Sequence, residues 1–240
     1  MMVTFNLKGI LTVALIGIGF IAAEMESYNP DREIAIVRRF IPSVNLINAD
    51  KDAAVETGMS LFSGDTLITD DSGYALVIFM DRSIAKVLPN SQLIVRGEID
   101  RNQNANTRLD LSRGGVFLDV TPRGQNEFEV LTTTTVASVK GTRFGARSNG
   151  FYWVDEGEVE VMALQSGQLV MLRNGMFAQA DESGTDLVTG QLSSDELEQL
   201  NAEYDILDQD LIERRMILRF RDANGQVIEE NIDYYEQENN

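Results

Sequence analysis

Two valine-rich runs joined through an Asn-Gly pair constrain this chain more than any other feature. Val136-Ala-Ser-Val-Lys-Gly-Thr-Arg-Phe144 precedes Asn149-Gly150, and Val154-Asp-Glu-Gly-Glu-Val-Glu-Val161 follows it. Asn-Gly between alternating apolar segments predicts a hairpin, because a type I′ turn needs positive φ at both central residues. A two-residue turn sets Ser148 opposite Phe151, Ala146 opposite Trp153 and Arg143 opposite Glu156. Phe144, Ala146, Phe151 and Trp153 then share the face expected to meet a core. Arg143 and Glu156 form a charge pair on the other face. Tyr152 is expected to point outward with Arg147 opposite. That aromatic–cation pair reads first as a cross-strand pair that stabilises the hairpin, and second as a candidate partner surface for a sugar or peptide.

The same punctuation recurs from Glu33 to about Asp181. Tyr74-Ala-Leu-Val-Ile-Phe-Met80 is apolar at every position, which predicts a strand covered on both faces. Asp70-Asp-Ser-Gly73, Asp81-Arg-Ser83 and Pro89-Asn-Ser91 read as turns, Asp100 to Thr107 as an exposed loop. Thr132 to Thr135 suits a strand surface, since β-branched side chains fit the pleat. Regular short strands with turn signals predict a mainly β fold, solenoid, roll- or sandwich-like. No strict repeat period is visible.

Composition shifts after residue 190. Ser193-Ser-Asp-Glu196 is a capping box, and Leu197, Leu200, Tyr204, Leu207 and Leu211 recur at steps of three and four. They predict a helix of about five turns docked on the β domain by one apolar stripe. Met216-Ile-Leu-Arg-Phe220 and Val227-Ile228 flank Asn224-Gly225, predicting a terminal hairpin with Arg219 opposite Glu230. At the other end, Lys8 precedes an apolar run over residues 9–23, which reads as an export signal or membrane anchor. The expected organisation is residues 1–25 as that signal or anchor, 31–185 as a β domain and 190–240 as a helix-plus-hairpin tail.

What chemistry the chain offers is narrow. It has no cysteine and no histidine, so thiolate nucleophiles, disulfides, the usual general base and the commonest metal ligand are missing. A net charge of −18 repels phosphate backbones and anionic lipids, which argues against nucleic-acid binding. More than half of that excess lies beyond residue 185. Glu158 and Glu160 are two apart on one strand and point the same way, whereas a glycosidase needs carboxylates opposed across a cleft. Asp205, Asp208, Asp210 and Glu213 miss the spacing of a calcium loop. No phosphate-binding loop or dinucleotide fingerprint occurs. No catalytic, cofactor or metal site is expected.

Five short motifs occur in order: Gly64-Asp65-Thr66-Leu67-x-Thr69, Asp81-x-Ser83, Pro89-Asn90-Ser91-x-Leu93, Gly141-Thr142-x-Phe144 and Gly157-Glu158-Val159. Together they resemble FecR-domain proteins over roughly residues 31–185. Arg82 departs from the glycine usual in that family, and Thr133 from a common proline. The resemblance implies an extracytoplasmic β-rich domain; its best-known members bind a receptor's signalling domain and control a sigma factor through a cytoplasmic amino-terminal domain. With eight residues ahead of the apolar run, only the β module is expected to carry over. Gly64, Gly141 and Gly157 are expected at strand junctions that need positive φ or close approach. Asp65, Asp81, Ser91 and Thr142 are expected to cap turn amides. The function expected is a non-enzymatic envelope module that binds a protein or polysaccharide in the periplasm or outside the cell. Receptor-linked signalling through a separate chain is the alternative, and a carboxylate-dependent polysaccharide hydrolase a more distant one.

Overall fold

The computed structural model describes residues 33–41, 43–48, 52–99, 105–122, 128–207, 211–221 and 226–237. The apolar run at 9–23 and most of the expected 100–107 loop lie outside them. The strands in chain order begin with β1 (Glu33–Ile41), β2 (Val44–Ile47), β3 (Asp52–Ala54), β4 (Ser60–Phe62), β5 (Thr66–Thr69), β6 (Tyr74–Phe79) and β7 (Ile84–Val87). Next come β8 (Gln92–Ile99), β9 (Ala105–Arg113), β10 (Gly115–Asp119), β11 (Phe128–Leu131), β12 (Thr135–Val139), β13 (Arg143–Arg147) and β14 (Phe151–Glu156). The stack ends with β15 (Glu158–Ala163), β16 (Leu169–Arg173), β17 (Met176–Ala180) and β18 (Leu187–Gln191).

These strands form two nine-stranded sheets, ordered β18-β17-β14-β13-β10-β7-β6-β1-β4 and β16-β15-β12-β11-β9-β8-β5-β2-β3. The chain lays one or two strands in one sheet, crosses to the other, and repeats. Both sheets therefore grow in the same direction along the sequence, giving a wound, roll-like double layer with no closed barrel. Neighbours are antiparallel except β9 and β11, which run parallel because β10 intervenes in the opposite sheet.

One core lies between the sheets. Leu67, Val77, Val87, Leu109, Leu118, Val130, Phe144, Tyr152, Val154 and Val161 are fully buried there. The strand expected to be covered twice is β6: Ala75, Val77 and Phe79 join this core, while Ile78 packs outside it with Ile36, Leu76 and Ile84.

The β13–β14 hairpin has a different register from the one its Asn-Gly pair predicts. Arg147 stands opposite Phe151 and Ala146 opposite Tyr152, so the loop is Ser148-Asn149-Gly150. The Gly150 amide donates to the Arg147 carbonyl at 3.0 Å, and Gly150 alone in the loop has positive φ, at 77°. This is the three-residue loop ending in a left-handed glycine rather than a type I′ turn. A one-residue slip turns every side chain to the other face. Tyr152 consequently points inward, and Phe151 and Trp153 point outward. A bulge restores Arg143 opposite Glu156, but its guanidinium pairs with Asp155 at 3.2 Å.

Three further expectations change. Thr132–Thr134 form a tight turn, because the Thr132 hydroxyl accepts from the Thr135 amide at 3.1 Å and the Thr132 amide donates to the Thr135 carbonyl. The long helix is short: α1 (Ser194–Ala202) ends early, a 3-10 turn spans Asp205–Leu207, and Leu211 opens a strand. The capping box forms as expected at Ser193 and Glu196. The terminal hairpin pairs β19 (Leu211–Arg221) with β20 (Val227–Gln237) in a sheet of its own, with Arg219 opposite Glu229.

Candidate functional site

Asp65, Asp81, Ser83, Ser91 and Thr142 are engaged at the corners where the chain changes sheet or direction. Asp65 is buried and accepts from the Phe62 amide at 2.8 Å; burial holds its carboxyl above the usual carboxylate range, against that hydrogen bond. Thr66, next to it, pairs with Ile47 and Ile94 within its sheet. Asp81 accepts from the Ser83 amide at 2.9 Å, and the Ser83 hydroxyl accepts from the Thr121 amide at 3.1 Å. Arg82 between them has φ of 71°, which explains why glycine suits that position. Ser91 ties the two layers: its hydroxyl accepts from the Gly115 amide at 3.0 Å, and its own amide donates to Thr69 Oγ1 at 2.9 Å. The Thr142 hydroxyl donates to the Glu158 carbonyl at 2.8 Å, beneath Gly157 and beside Gly141. At Gly141 and Gly157 positive φ coincides with close approach: a β carbon would stand 2.5 Å from Pro122 Cβ and 2.8 Å from Thr142 Oγ1 respectively. Gly64 also has positive φ, at 101°, but open space around it. Phe144 is buried in the core. The side-chain oxygens of Asp65, Asp81, Ser83, Ser91 and Thr142 are thus spent on backbone groups.

Tyr152 is no surface residue. It is fully buried, and its hydroxyl shares a hydrogen bond with Thr135 Oγ1 at 2.8 Å, which in turn meets Thr132 Oγ1 at 2.7 Å. Burial pushes its phenol up to about 12, against the hydrogen bonds.

The residues that gather a recognisable surface lie on the outer face of the first sheet. Phe117 of β10, Phe151 and Trp153 of β14 and Phe177 of β17 form a continuous aromatic face edged by Leu88. Ring centroids are 5.7 Å apart for Phe151–Trp153, 5.9 Å for Phe151–Phe177 and 6.4 Å for Phe117–Trp153. Trp153 lies flat across Gly145, where a β carbon would stand 2.0 Å from its ring. Arg143 and Arg147 project from β13 on the same side. Arg143 lies 5.9 Å from the Phe117 centroid, and Arg147 lies 6.0 and 5.8 Å from those of Phe151 and Trp153.

This face is covered by residues 192–207. Leu192, Leu197, Leu200 and Tyr204 pack on the aromatics. Trp153 Nε1 donates to Asn201 Oδ1 at 3.0 Å, and Asn201 Nδ2 donates to Asp155 Oδ1 at 2.9 Å. Arg147 donates to both Glu203 carboxylate oxygens at 2.8 Å. The Tyr204 hydroxyl is buried with no hydrogen bond of good geometry, and burial drives its phenol far above the ordinary range, against the Arg147 guanidinium beside it. Arg147, singled out from sequence, belongs to this site, whereas Tyr152 does not. Trp153, Phe117, Arg143, Asn201 and Glu203 were missed because the predicted register sent Trp153 inward. The leucine stripe at 197 and 200 was the signal that could have found the site.

Glu158 and Glu160 form no pair opposed across a cleft. Glu158 and Glu160 lie side by side on the solvent face of β15, and Glu158 pairs with Arg173 at 2.8 Å. Among the described residues no group of His, Cys, Asp or Glu is placed to hold a metal ion.

Fold and corners together define a wound, two-layered β module whose short polar residues cap its turns. Residues 65–164 match the family model described as FecR protein. Two crystal structures of a candidate anti-sigma factor from Parabacteroides distasonis are similar at 12% identity. Their TM-scores are 0.48 and 0.47, covering 57% and 55% of this chain. They are covered over 64% and 62% of their own length, so this chain spans less than two thirds of them. No curated protein matches. The matched span holds Phe117, Arg143, Arg147, Phe151 and Trp153; Phe177 and the whole cover lie beyond it.

Proposed function

We propose that this chain is an exported, non-enzymatic FecR-domain module that binds a protein partner in the cell envelope and acts in signal transduction. The observation that carries the reading is the FecR match over 65–164, laid on a double sheet whose motif residues are engaged in corner caps. Such a domain offers faces and edges to a partner rather than a reacting group. The absence of histidine and cysteine from the sequence and the unopposed Glu158 and Glu160 support the non-enzymatic part. The apolar run at 9–23 supports export, by cleavage or by retention as an anchor.

Photo-crosslinking amino acids placed in cells at Arg143 on the aromatic face and at Leu169 and Val188 on the sheet edges test the binding part. One envelope protein captured reproducibly from at least one of these faces is the expected result. No capture from any of them would overturn it. Deletion that leaves the transcriptome unchanged would remove the signalling part. A periplasm-dependent reporter fused after residue 240 that stays inactive would remove export.

A further inference from the structure

We infer that the aromatic face is a groove for an amphipathic helix, and that residues 192–207 are its releasable occupant, exchanged for a partner helix of the same chemistry. The inference rests on the partner-binding reading above and names the surface and the chemistry of the segment it takes.

The bound segment shows what the groove selects. Leu197 and Leu200 stand three apart on α1, and Tyr204, two residues beyond its end, continues the i, i+3, i+7 spacing by which a helix lays one face into a groove. Asn201 reads the single polar atom of Trp153, and Glu203 places both carboxylate oxygens on one terminal nitrogen of Arg147. The anchors are thus two leucines on the short helix and, in the turn just beyond its end, one acid and one ring. Arg147 also lies over the Phe151 and Trp153 rings, contacts made within the sheet and not by the cover.

The segment is held at its ends, where the Leu192 amide donates to the Gly175 carbonyl at 2.8 Å and the buried Leu207 accepts from Arg39 at 2.9 Å, but its helical middle is weakly retained. Helix α1 has nine residues and none is buried, and a helix of that length does not hold its shape unaided. The Arg147–Glu203 pair is about one third and two fifths exposed, where ion pairs contribute little. Tyr204 is 1% exposed, and its hydroxyl, beside the Arg147 guanidinium, makes no hydrogen bond of good geometry. A partner helix with phenylalanine or leucine at that position would bury the same surface without stranding a hydroxyl. The chain's own segment is therefore a weaker ligand than the groove can accept, as an exchangeable cover requires. Uncovered, four aromatic rings would form one contiguous apolar patch, the kind that marks a protein-binding surface.

Trp153 is the chain's one tryptophan, so its emission reports the cover directly. In the full wild-type chain, hydrogen exchange is expected to run at least about 100-fold faster at the amides of α1 than at those of β13 and β14. Glu203→Arg should red-shift the emission and raise acrylamide quenching about threefold with the far-UV β signal intact; adding Arg147→Glu should restore both. A synthetic peptide of residues 192–207 with phenylalanine at the Tyr204 position should bind the Glu203→Arg chain and return its emission. It should bind wild type about tenfold more weakly, and a peptide with alanine at the Leu197 and Leu200 positions should bind neither.

Amides of α1 protected as strongly as the strands would overturn the inference. So would an exposed Trp153 on which the phenylalanine peptide has no effect. If Glu203→Arg loses its β signal, exchange and peptide titration on the wild type decide. Failure of the peptide together with capture from Leu169 or Val188 in cells would remove the groove and leave the partner-binding function standing.

Discussion

Tyr152 and Trp153 are neighbours on one strand, both with no exposed surface, and they belong to different structures. Tyr152 faces the core between the sheets and is tied to Thr135 and Thr132, two residues of the span matched to the FecR model. Trp153 faces outward and is buried by residues beyond that span. Burial on the inner face follows from winding two sheets together and cannot be undone without unfolding. Burial on the outer face depends on one short segment staying down. Equal exposure therefore conceals unequal consequences.

The largest expected effect tests that inequality. Phe144→Ala removes a fully buried ring from between the sheets and should cost about 3–5 kcal/mol by urea denaturation. Phe177→Ala removes a half-buried ring from the outer face, where the cover can settle into the space, and should cost about 1–2 kcal/mol. Equal losses would show the outer face to be as integral as the core.

Gly145→Ala comes next. Its β carbon would stand 2.0 Å from the Trp153 ring, with the sheet behind leaving the ring no way but outward. Overpacking of this kind costs about 1–3 kcal/mol. The loss should come with a shift in tryptophan emission that Phe144→Ala does not reproduce below its unfolding transition.

Much of the inner region was legible in the sequence and little of the outer. Alternation gave the strands, and Asp65, Asp81, Ser91 and Thr142 were readable as corner caps because short side chains with an oxygen satisfy turn amides locally. The outer face was obscured by a single ambiguity. An Asn-Gly pair fits a two-residue turn, yet Asn149 keeps negative φ and Gly150 alone turns left-handed, which moves the register by one. Period-two alternation then exchanges inside for outside along the whole strand. Phe151-Tyr152-Trp153 carries no internal cue to choose, being aromatic on both faces. The helix length failed for a related reason: Leu207 and Leu211 continue the three-four spacing, but β-branched and aromatic residues beyond them give way to a strand.

A smaller effect separates the hydroxyl chain from the packing around it. Tyr152→Phe keeps the ring and removes one buried hydrogen bond, while Thr135 Oγ1 keeps its contact with Thr132. The cost should be about 1 kcal/mol in the same urea measurement, with tryptophan emission unchanged. A change in emission would mean that the two faces of β14 are coupled through the strand.

The smallest effect is a difference in pH slope between a buried corner and an exposed loop. Asp65 has its folded-state pKa raised by burial, so its titration favours the folded chain at low pH and that contribution is lost as pH rises through the raised value. Asp65→Asn keeps an acceptor for the Phe62 amide and cannot ionise. Its stability should lie within about 0.5 kcal/mol of wild type at neutral pH, on the stable side. That advantage should shrink as pH falls through the Asp65 value, because the wild-type carboxyl is then neutral too. Asp181 runs the other way. It sits on the surface loop after β17, and the Ser183 hydroxyl, the Asp186 amide and Thr185 hold its carboxyl below the usual range. Its contribution is present above the ordinary carboxylate range and is lost as pH falls, so Asp181→Asn should melt earlier than wild type at neutral pH and converge on it in acid. Melting temperatures of the two variants across pH should diverge from wild type in opposite directions at neutral pH. Matching signs would show that Asp65 is stabilised as an anion by its turn rather than strained by its burial.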